Sequence, residues 1–275
     1  MISSVNTSTS SYSALRGLNS ADSAVHTSQK RIASGRKVAD AYDDGAAFSV
    51  AEGLRGDAAV LGAANERLAV GKGMIDVAVK AGQFISSSLQ DVKATLIKLS
   101  DPSLSAQDRA NYQDQYKSQV GDIGAFVKDA KYNGVNLLEQ GASDQKIVSN
   151  GSGGSVTVKA QDLQTSLVDA LTNADVSSAS SAAALIQPGG TVATAQDSLG
   201  TALNSLAASA KSVDNSIKSN NSIVDATTTG IGEITDADLT KEAAALQAAQ
   251  VKQQLAGQAL SISNQSSKSL LGLFQ

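Results

Sequence analysis

A seven-residue apolar repeat constrains this chain more than any other feature. Leu54, Leu61, Leu68, Ile75, Leu89 and Leu96 fall on one row, broken only at Gly82. A second row, three residues on, runs Ala64, Gly71, Ala78, Ile85, Val92 and Leu99. Sustained a/d spacing of this kind predicts a long helix whose apolar stripe is buried against a second helix. Asp43-Asp44 offers an N-cap for that helix, and Asp101-Pro102 a stop.

A second repeat lies near the other end. Leu199, Leu203, Leu206, Ala210, Val213, Ile217 and Val224 alternate by four and three, with Asn220 the only polar residue in the series. The economical reading pairs the two repeats side by side as the seam of one bundle.

The extreme ends are patterned as well. Val5, Tyr12, Leu15, Leu18, Val25 and Ile32 share a helical face that stops at Ser34-Gly35. Leu239, Leu246, Val251, Leu255, Ala259, Ile262 and Leu270 recur at helical spacing, and Leu271 and Phe274 follow. These faces are thin and serine-rich, and a lone helix of that kind is marginal in water, so they need partners. The chain therefore reads as nested, with outer ends paired, inner repeats paired, and the middle forming a surface insert.

Between the repeats, Tyr112, Tyr116, Val120, Ile123 and Val127 predict a helix over 105–130, ended by Tyr132-Asn133-Gly134. Two β runs, 146–149 and 155–159, flank Gly151-Ser152-Gly153-Gly154 and predict a hairpin near 145–160. Residues 161–190 predict one helix on the outer surface, ended by Pro188-Gly189-Gly190. The fold class is thus mainly α, a long coiled-coil-like bundle with one small hairpin.

Composition narrows the function. Aromatics are 3% of the chain, against 41% hydrophobic residues, which suits closely packed helices better than an enzyme pocket. Net charge is −4, with no long basic run, so nothing directs the chain to nucleic acid or to an anionic membrane. Absence of cysteine excludes disulfides and Cys-ligated zinc. The N-terminus lacks the basic and apolar regions of a cleavable signal, and no stretch approaches the roughly 20 apolar residues of a membrane span. No nucleophile elbow, zinc helix or phosphate loop is present, so no catalytic, metal or cofactor site is expected. His26, the single histidine, reads as a solvated helix residue. Asp40, Asp43 and Asp44 read as a helix cap sooner than as a cation or acid/base cluster. The helix glycines Gly53, Gly56, Gly62, Gly71, Gly73 and Gly82 each cost about 1 kcal/mol relative to alanine. Close approach, bending or compensating subunit contacts could each account for them, and sequence does not choose.

Four motifs then carry a resemblance. Lys30-Arg31-Ile32-Ala33-Ser34-Gly35-Arg36-Lys37-Val38 with Asp40-Ala41-Tyr42-Asp43-Asp44 resembles the N-terminal signature of bacterial flagellins. Lys131-Tyr132-Asn133-Gly134-Val135-Asn136-Leu137-Leu138 and Ile234-Thr235-Asp236-Ala237-Asp238 with Glu242 are similar to two further family segments. Gln253-Gln254-Leu255, Ala259 to Gln265 and Leu270 to Phe274 are similar to its closing segment. The short middle resembles the compact alphaproteobacterial type.

The resemblance implies a self-assembling subunit of the extracellular flagellar filament, a helical homopolymer used for swimming. It implies terminal helices from 1–35 and 236–275 in an inner tube, a connector over 36–44, and a layer from 45–160 and 191–235. The interval 161–190 would be a short outer insert. Type III export without signal cleavage, and contacts with other flagellins, hook-junction proteins, a filament cap and an export chaperone, are implied likewise. Related flagellins carry O-glycans on their outer surface, which makes Thr157, Thr165, Ser166, Ser177, Ser178, Thr191 and Thr194 candidate acceptors. Flagellins recognised by the vertebrate innate receptor carry arginine and glutamate where this chain has Asp91 and Ala94, so weak receptor activation is expected. The rival readings are a hook–filament junction protein, which assembles a short zone, and a non-flagellar coiled-coil binding module.

Overall fold

Each long helix begins and ends where local chemistry dictates. In the computed structural model, which describes residues 9–272 and side chains through residue 265, α1 spans Thr9–Ser34 and stops where Gly35 turns to φ +68°. That left-handed conformation is costly for any residue with a Cβ. Helix α2, Gly45–Leu99, starts at Asp44, whose carboxylate accepts from the Ala46 and Ala47 amides at 3.0 Å. It ends ahead of Asp101-Pro102, where the Arg109 guanidinium donates to the Leu99 carbonyl at 2.7 Å and the Asp101 carbonyl at 2.8 Å.

Ser105 caps α3, Ala106–Asp129, by accepting from the Asp108 amide. A two-residue hairpin follows, β1 Lys131–Tyr132 against β2 Val135–Asn136. Asn133 at φ 49° and Gly134 at φ 80° give the turn whose twist suits a tight hairpin. The Asn136 side chain then donates to the Val127 carbonyl and accepts from the Leu138 amide, both at 2.8 Å, which closes the end of α3. Strands β3, Gln145–Val148, and β4, Ser155–Val158, pair antiparallel with Ile147 opposite Val156.

The predicted single helix over 161–190 is not what forms. A π-helical turn, Gln164–Asp169, runs into the three-residue α4, Ala170–Thr172; the chain then breaks, and α5, Ala179–Ile186, starts afresh. Asn173 and Asp175 favour turns, and Ser178 makes a capping box with Ser181. Nor is this interval wholly external, because Leu163, Leu167, Val168, Leu171 and Ala182 are buried in the core. Helices α6, Thr191–Thr235, and α7, Leu239–Gly272, complete the chain.

Packing divides the chain inside α2 and α6. One unit holds residues up to Gly56 and from Asp225 onward, and the other is Asp57–Val224. The core of the second unit joins Leu68, Ile75, Ile85, Leu89 and Leu96 of α2 to Val120 and Ile123 of α3. Ile147 and Val158 of the hairpin, and Leu199, Leu206 and Val213 of α6, close it. Of the seam residues expected here, Leu61, Leu203 and Ile217 are half-buried and the others fully buried. Leu54, in the first unit, is half-buried.

Tyr116 brings one polar group into this core. Its hydroxyl donates to the Leu171 carbonyl at 2.7 Å, and burial pushes the phenol pKa up to about 12. We expect Tyr116→Phe to cost about 1 kcal/mol, the net worth of one hydrogen bond, because the Leu171 carbonyl keeps the Ala174 amide as a donor at 3.2 Å. An ultraviolet titration of the tyrosines should lose its latest-titrating phenol in that variant; an unchanged titration would contradict the assignment.

Candidate assembly surface

In the first unit, α1 and α7 meet along a row of small side chains. Ala21, Val25 and Ser28 of α1 are buried, with Ser11, Ala14, Leu18 and Ile32 half-buried in the same series. From α7 come buried Ala249 and half-buried Glu242, Leu246, Gln253, Ala256, Leu260 and Ser263. Polar contacts run along this seam: Ser11 lies 2.9 Å from Ser263, and the Gln253 amide donates to Asp22 at 2.8 Å. Small residues let the two backbones approach, and the alternation by three and four is that of a coiled coil.

The terminal residues singled out from sequence therefore separate into two sets. Leu18, Val25, Ile32 and Leu246 close the α1–α7 seam. Tyr12, Leu15, Leu239, Val251, Leu255 and Ile262 do not, and Leu255 and Ile262 are 58% and 70% exposed. Val251, Leu255 and Ile262 stand at i, i+4 and i+11, so they share one face of α7 that is not the seam face. Val5, Phe274 and the side chains of Leu270 and Leu271 lie outside the described residues.

Between α1 and α2, carboxylates fold the connector on itself. Asp43 accepts from the Ala39 and Asp40 amides, and Asp40 from the Tyr42 and Asp43 amides. The Lys30 ammonium donates to Asp40 and to Asp43, each at 2.8 Å. On the other side, Lys37 and Val38 donate their amides to the Thr235 carbonyl, and the Ala237 amide donates to the Gly35 carbonyl. Arg31 reaches Glu242 at 3.0 Å. The two terminal motifs are thus joined through Arg31 to Glu242, Gly35 to Ala237, Arg36 to Asp236, and Lys37 and Val38 to Thr235. Sequence reading gave Asp40, Asp43 and Asp44 one capping role; only Asp44 caps α2, while Asp40 and Asp43 hold the connector. Lys30 as their partner was missed, since nothing local signals a contact 10 or 13 residues away.

The hydrogen bonds from Lys30 hold both carboxyls below their usual 3.8 and raise the lysine above 10.5. The carboxylate contribution is fully present above the unfolded value and declines as pH falls through the lowered ones. The lysine contribution is fully present below 10.5 and declines as pH rises through the raised value. We expect the connector to stay closed across neutral pH and to open at both extremes. Amide NMR shifts of Ala39 and Asp40 should report it, and Lys30→Ala should open the connector at neutral pH. Shifts that stay constant in that variant would contradict the lock.

Residues 5–143 match the profile of the bacterial flagellin N-terminal helical region, and 189–274 that of the C-terminal helical region. Flagellin FljK of Caulobacter vibrioides is 34% identical across 100% of this chain and 99% of its own length. A flagellin of Brucella melitensis is 34% identical across the full length of both. The chain belongs to the bacterial flagellin family. Flagellins are structural subunits of the flagellar filament, and that is the role of this chain; neither rival reading is favoured. The crystal structure of Bacillus cereus flagellin aligns at 17% identity with a TM-score of 0.39, covering 66% of this chain and 94% of that one. A superposition that loose adds nothing to the assignment.

In this flagellin, the glycan candidates Thr157, Thr165, Ser166, Ser177, Ser178 and Thr194 are exposed and Thr191 is half-buried. Ser178 already caps α5, and the Ser166 and Thr194 hydroxyls donate to backbone carbonyls. His26 lies at the surface, 3.7 Å from Asp22. The second unit carries an exposed aromatic, Phe84, stacked on Phe126 at 5.7 Å between centroids. No described helix is long and apolar enough to cross a membrane.

Proposed function

We propose that this flagellin polymerises through the faces of α1 and α7 that carry Tyr12, Leu15, Leu239, Val251, Leu255 and Ile262. The supporting observation is a division between faces of α7: Leu246, Ala249, Gln253 and Ala256 turn toward α1, while Val251, Leu255 and Ile262 on another face remain exposed. Burying apolar surface yields about 25 cal/mol per Å². That gain is withheld from the monomer and released on assembly, which favours polymer over isolated subunit. Repetition of one heterologous contact generates an open helical fibre. Val5, Leu270, Leu271 and Phe274, assigned to the assembly interface from sequence, lie outside the described residues or side chains.

In this reading 1–35 and 236–275 form the inner tube, 36–44 connects, and 45–160 with 191–235 forms the surrounding layer. The interval 161–190 is an outer insert anchored in the core by Leu163, Leu167 and Leu171, and its exposed hydroxyls, with those of Thr157, Thr191 and Thr194, are candidate acceptors for glycans. Other flagellins, junction proteins, a cap and an export chaperone are the partners expected, with type III export and no catalytic role. Helix α2 presents Gln90, Asp91, Lys93 and Ala94 outward at the stretch that receptor-activating relatives use. Reporter cells should therefore respond weakly or not at all, and strong signalling at nanomolar protein would refute that.

The test of function is electron microscopy of purified protein seeded with sheared filament fragments. Long helical fibres that disappear on deleting 236–275 are the expected result. Discrete oligomers under every seeding and salt condition would overturn it in favour of a junction protein.

A further inference from the structure

The seam between α2 and α6 is antiparallel. Asn65 lies against Asn220 and Asn221, Lys72 against Asp214, and Gly82 against Leu203. Apolar residues repeat with heptad spacing on both helices, so sliding α6 by seven residues again sets apolar rows against apolar rows. Gly82, the one gap in the α2 row, admits Leu203 and favours this register sterically, but the other apolar rows separate the registers poorly. The Lys72–Asp214 ion pair is too exposed to decide among them.

Asn220 breaks the degeneracy. It is 5% exposed, and its amide donates to Asn65 Oδ1 at 2.9 Å and to the Ser149 carbonyl at 2.8 Å. Asn65 in turn donates to Asn221 Oδ1 at 2.8 Å. Ser149 begins the β3–β4 turn, which Asn150 holds by accepting from the Ser152 and Gly154 amides. A slide of one heptad would set Asn220 against Ala58 or Lys72, and Asn65 against Val213 or Thr227. In either case the paired amides lose each other, and the Ser149 carbonyl loses its donor. A buried polar group left unpaired is costly, whereas the apolar rows away from Gly82 discriminate little.

We propose that Asn220, acting through Asn65 and the Ser149 carbonyl, sets the register of α6 on α2 and locks it to the hairpin turn. Its value lies in specificity: every copy acquires the same seam, as a repeating fibre requires. The absence of cysteine permits a direct test on the monomer, independent of polymerisation. Spin labels at Lys93→Cys and Lys218→Cys sit at exposed sites toward opposite ends of the seam. The parent should give one distance. Asn220→Leu should add a population displaced by about 10 Å, the length of seven helical residues, and raise it at least about tenfold over the parent. Because that variant takes the donor from Asn65 Oδ1, the double variant Asn65→Leu/Asn220→Leu serves alongside it; it leaves the Ser149 carbonyl and the exposed Asn221 to find water, and should slip equally. A residue that only contributed stability would shift the melting temperature and leave one distance. A single parental distance in both variants would overturn the proposal.

Discussion

Replacing Leu255 and Ile262 together by aspartate abolishes filament growth while leaving the α1–α7 pair closed. Both side chains point away from the seam, at 58% and 70% exposure, so the monomer loses almost nothing. In the polymer each apolar side chain of this size is worth about 1.5–3 kcal/mol on burial. Losing two, before any cost of desolvating the new carboxylates, raises the critical concentration by at least about 100-fold. Sedimentation of polymer against protein concentration measures it. A disulfide between Ser11→Cys and Ser263→Cys, whose hydroxyls lie 2.9 Å apart, verifies that the pair persists. Filaments at the parental concentration would remove this face from the interface. Val25→Asp, by contrast, should open the pair itself, because Val25 is buried between α1 and α7.

Gly82→Val lowers the stability of the second unit by about 3 kcal/mol, the upper range for an overpacked core. A Cβ at Gly82 would stand 2.6 Å from Leu203 Cδ2, so Leu203 must move, and the two valine methyls would crowd the space between it and Leu199, already in contact at 3.6 Å. For a unit of this size the midpoint should fall by about 6–12 °C. Near-ultraviolet circular dichroism reads the unit, because buried Tyr116 and half-buried Tyr112 and Tyr132 lie in it. Gly62→Ala should move the other way by about 1 kcal/mol, since nothing lies within 4 Å of its Cβ position and alanine is the better helix former. Equal shifts in both variants would show that helix propensity, and not contact, governs these glycines.

The glycines mark where sequence reading stopped. Gly71 meets Ile147, Gly73 meets the Tyr132 ring and Gly82 meets Leu203, so these three admit a neighbour that alanine would crowd. Gly53, Gly56 and Gly62 have no atom within 4 Å of a Cβ position, so close approach does not explain them. All six look alike in sequence, because the atoms that distinguish them come from residues far along the chain. The interval 161–190 was misread for a related reason. Leu163, Leu167 and Leu171 are spaced by four and predict a helix, but burial against α3 and the break at Asn173–Asp175 impose a π-helical turn and a new cap.

What the sequence determined by itself was the long helices, the Asp44 cap of α2, the Asn133-Gly134 turn, the antiparallel hairpin and the family, because each rests on periodicity or on contacts between near neighbours. Tertiary structure alone decided which terminal apolar residues close the α1–α7 seam and which stay outside it. It also brought Lys30 to Asp40 and Asp43, and Arg31 to Glu242 across 211 residues of chain. Those outcomes depend on the rotation of one helix about its axis relative to another, and a seven-residue repeat fixes that rotation only once a partner helix is in place.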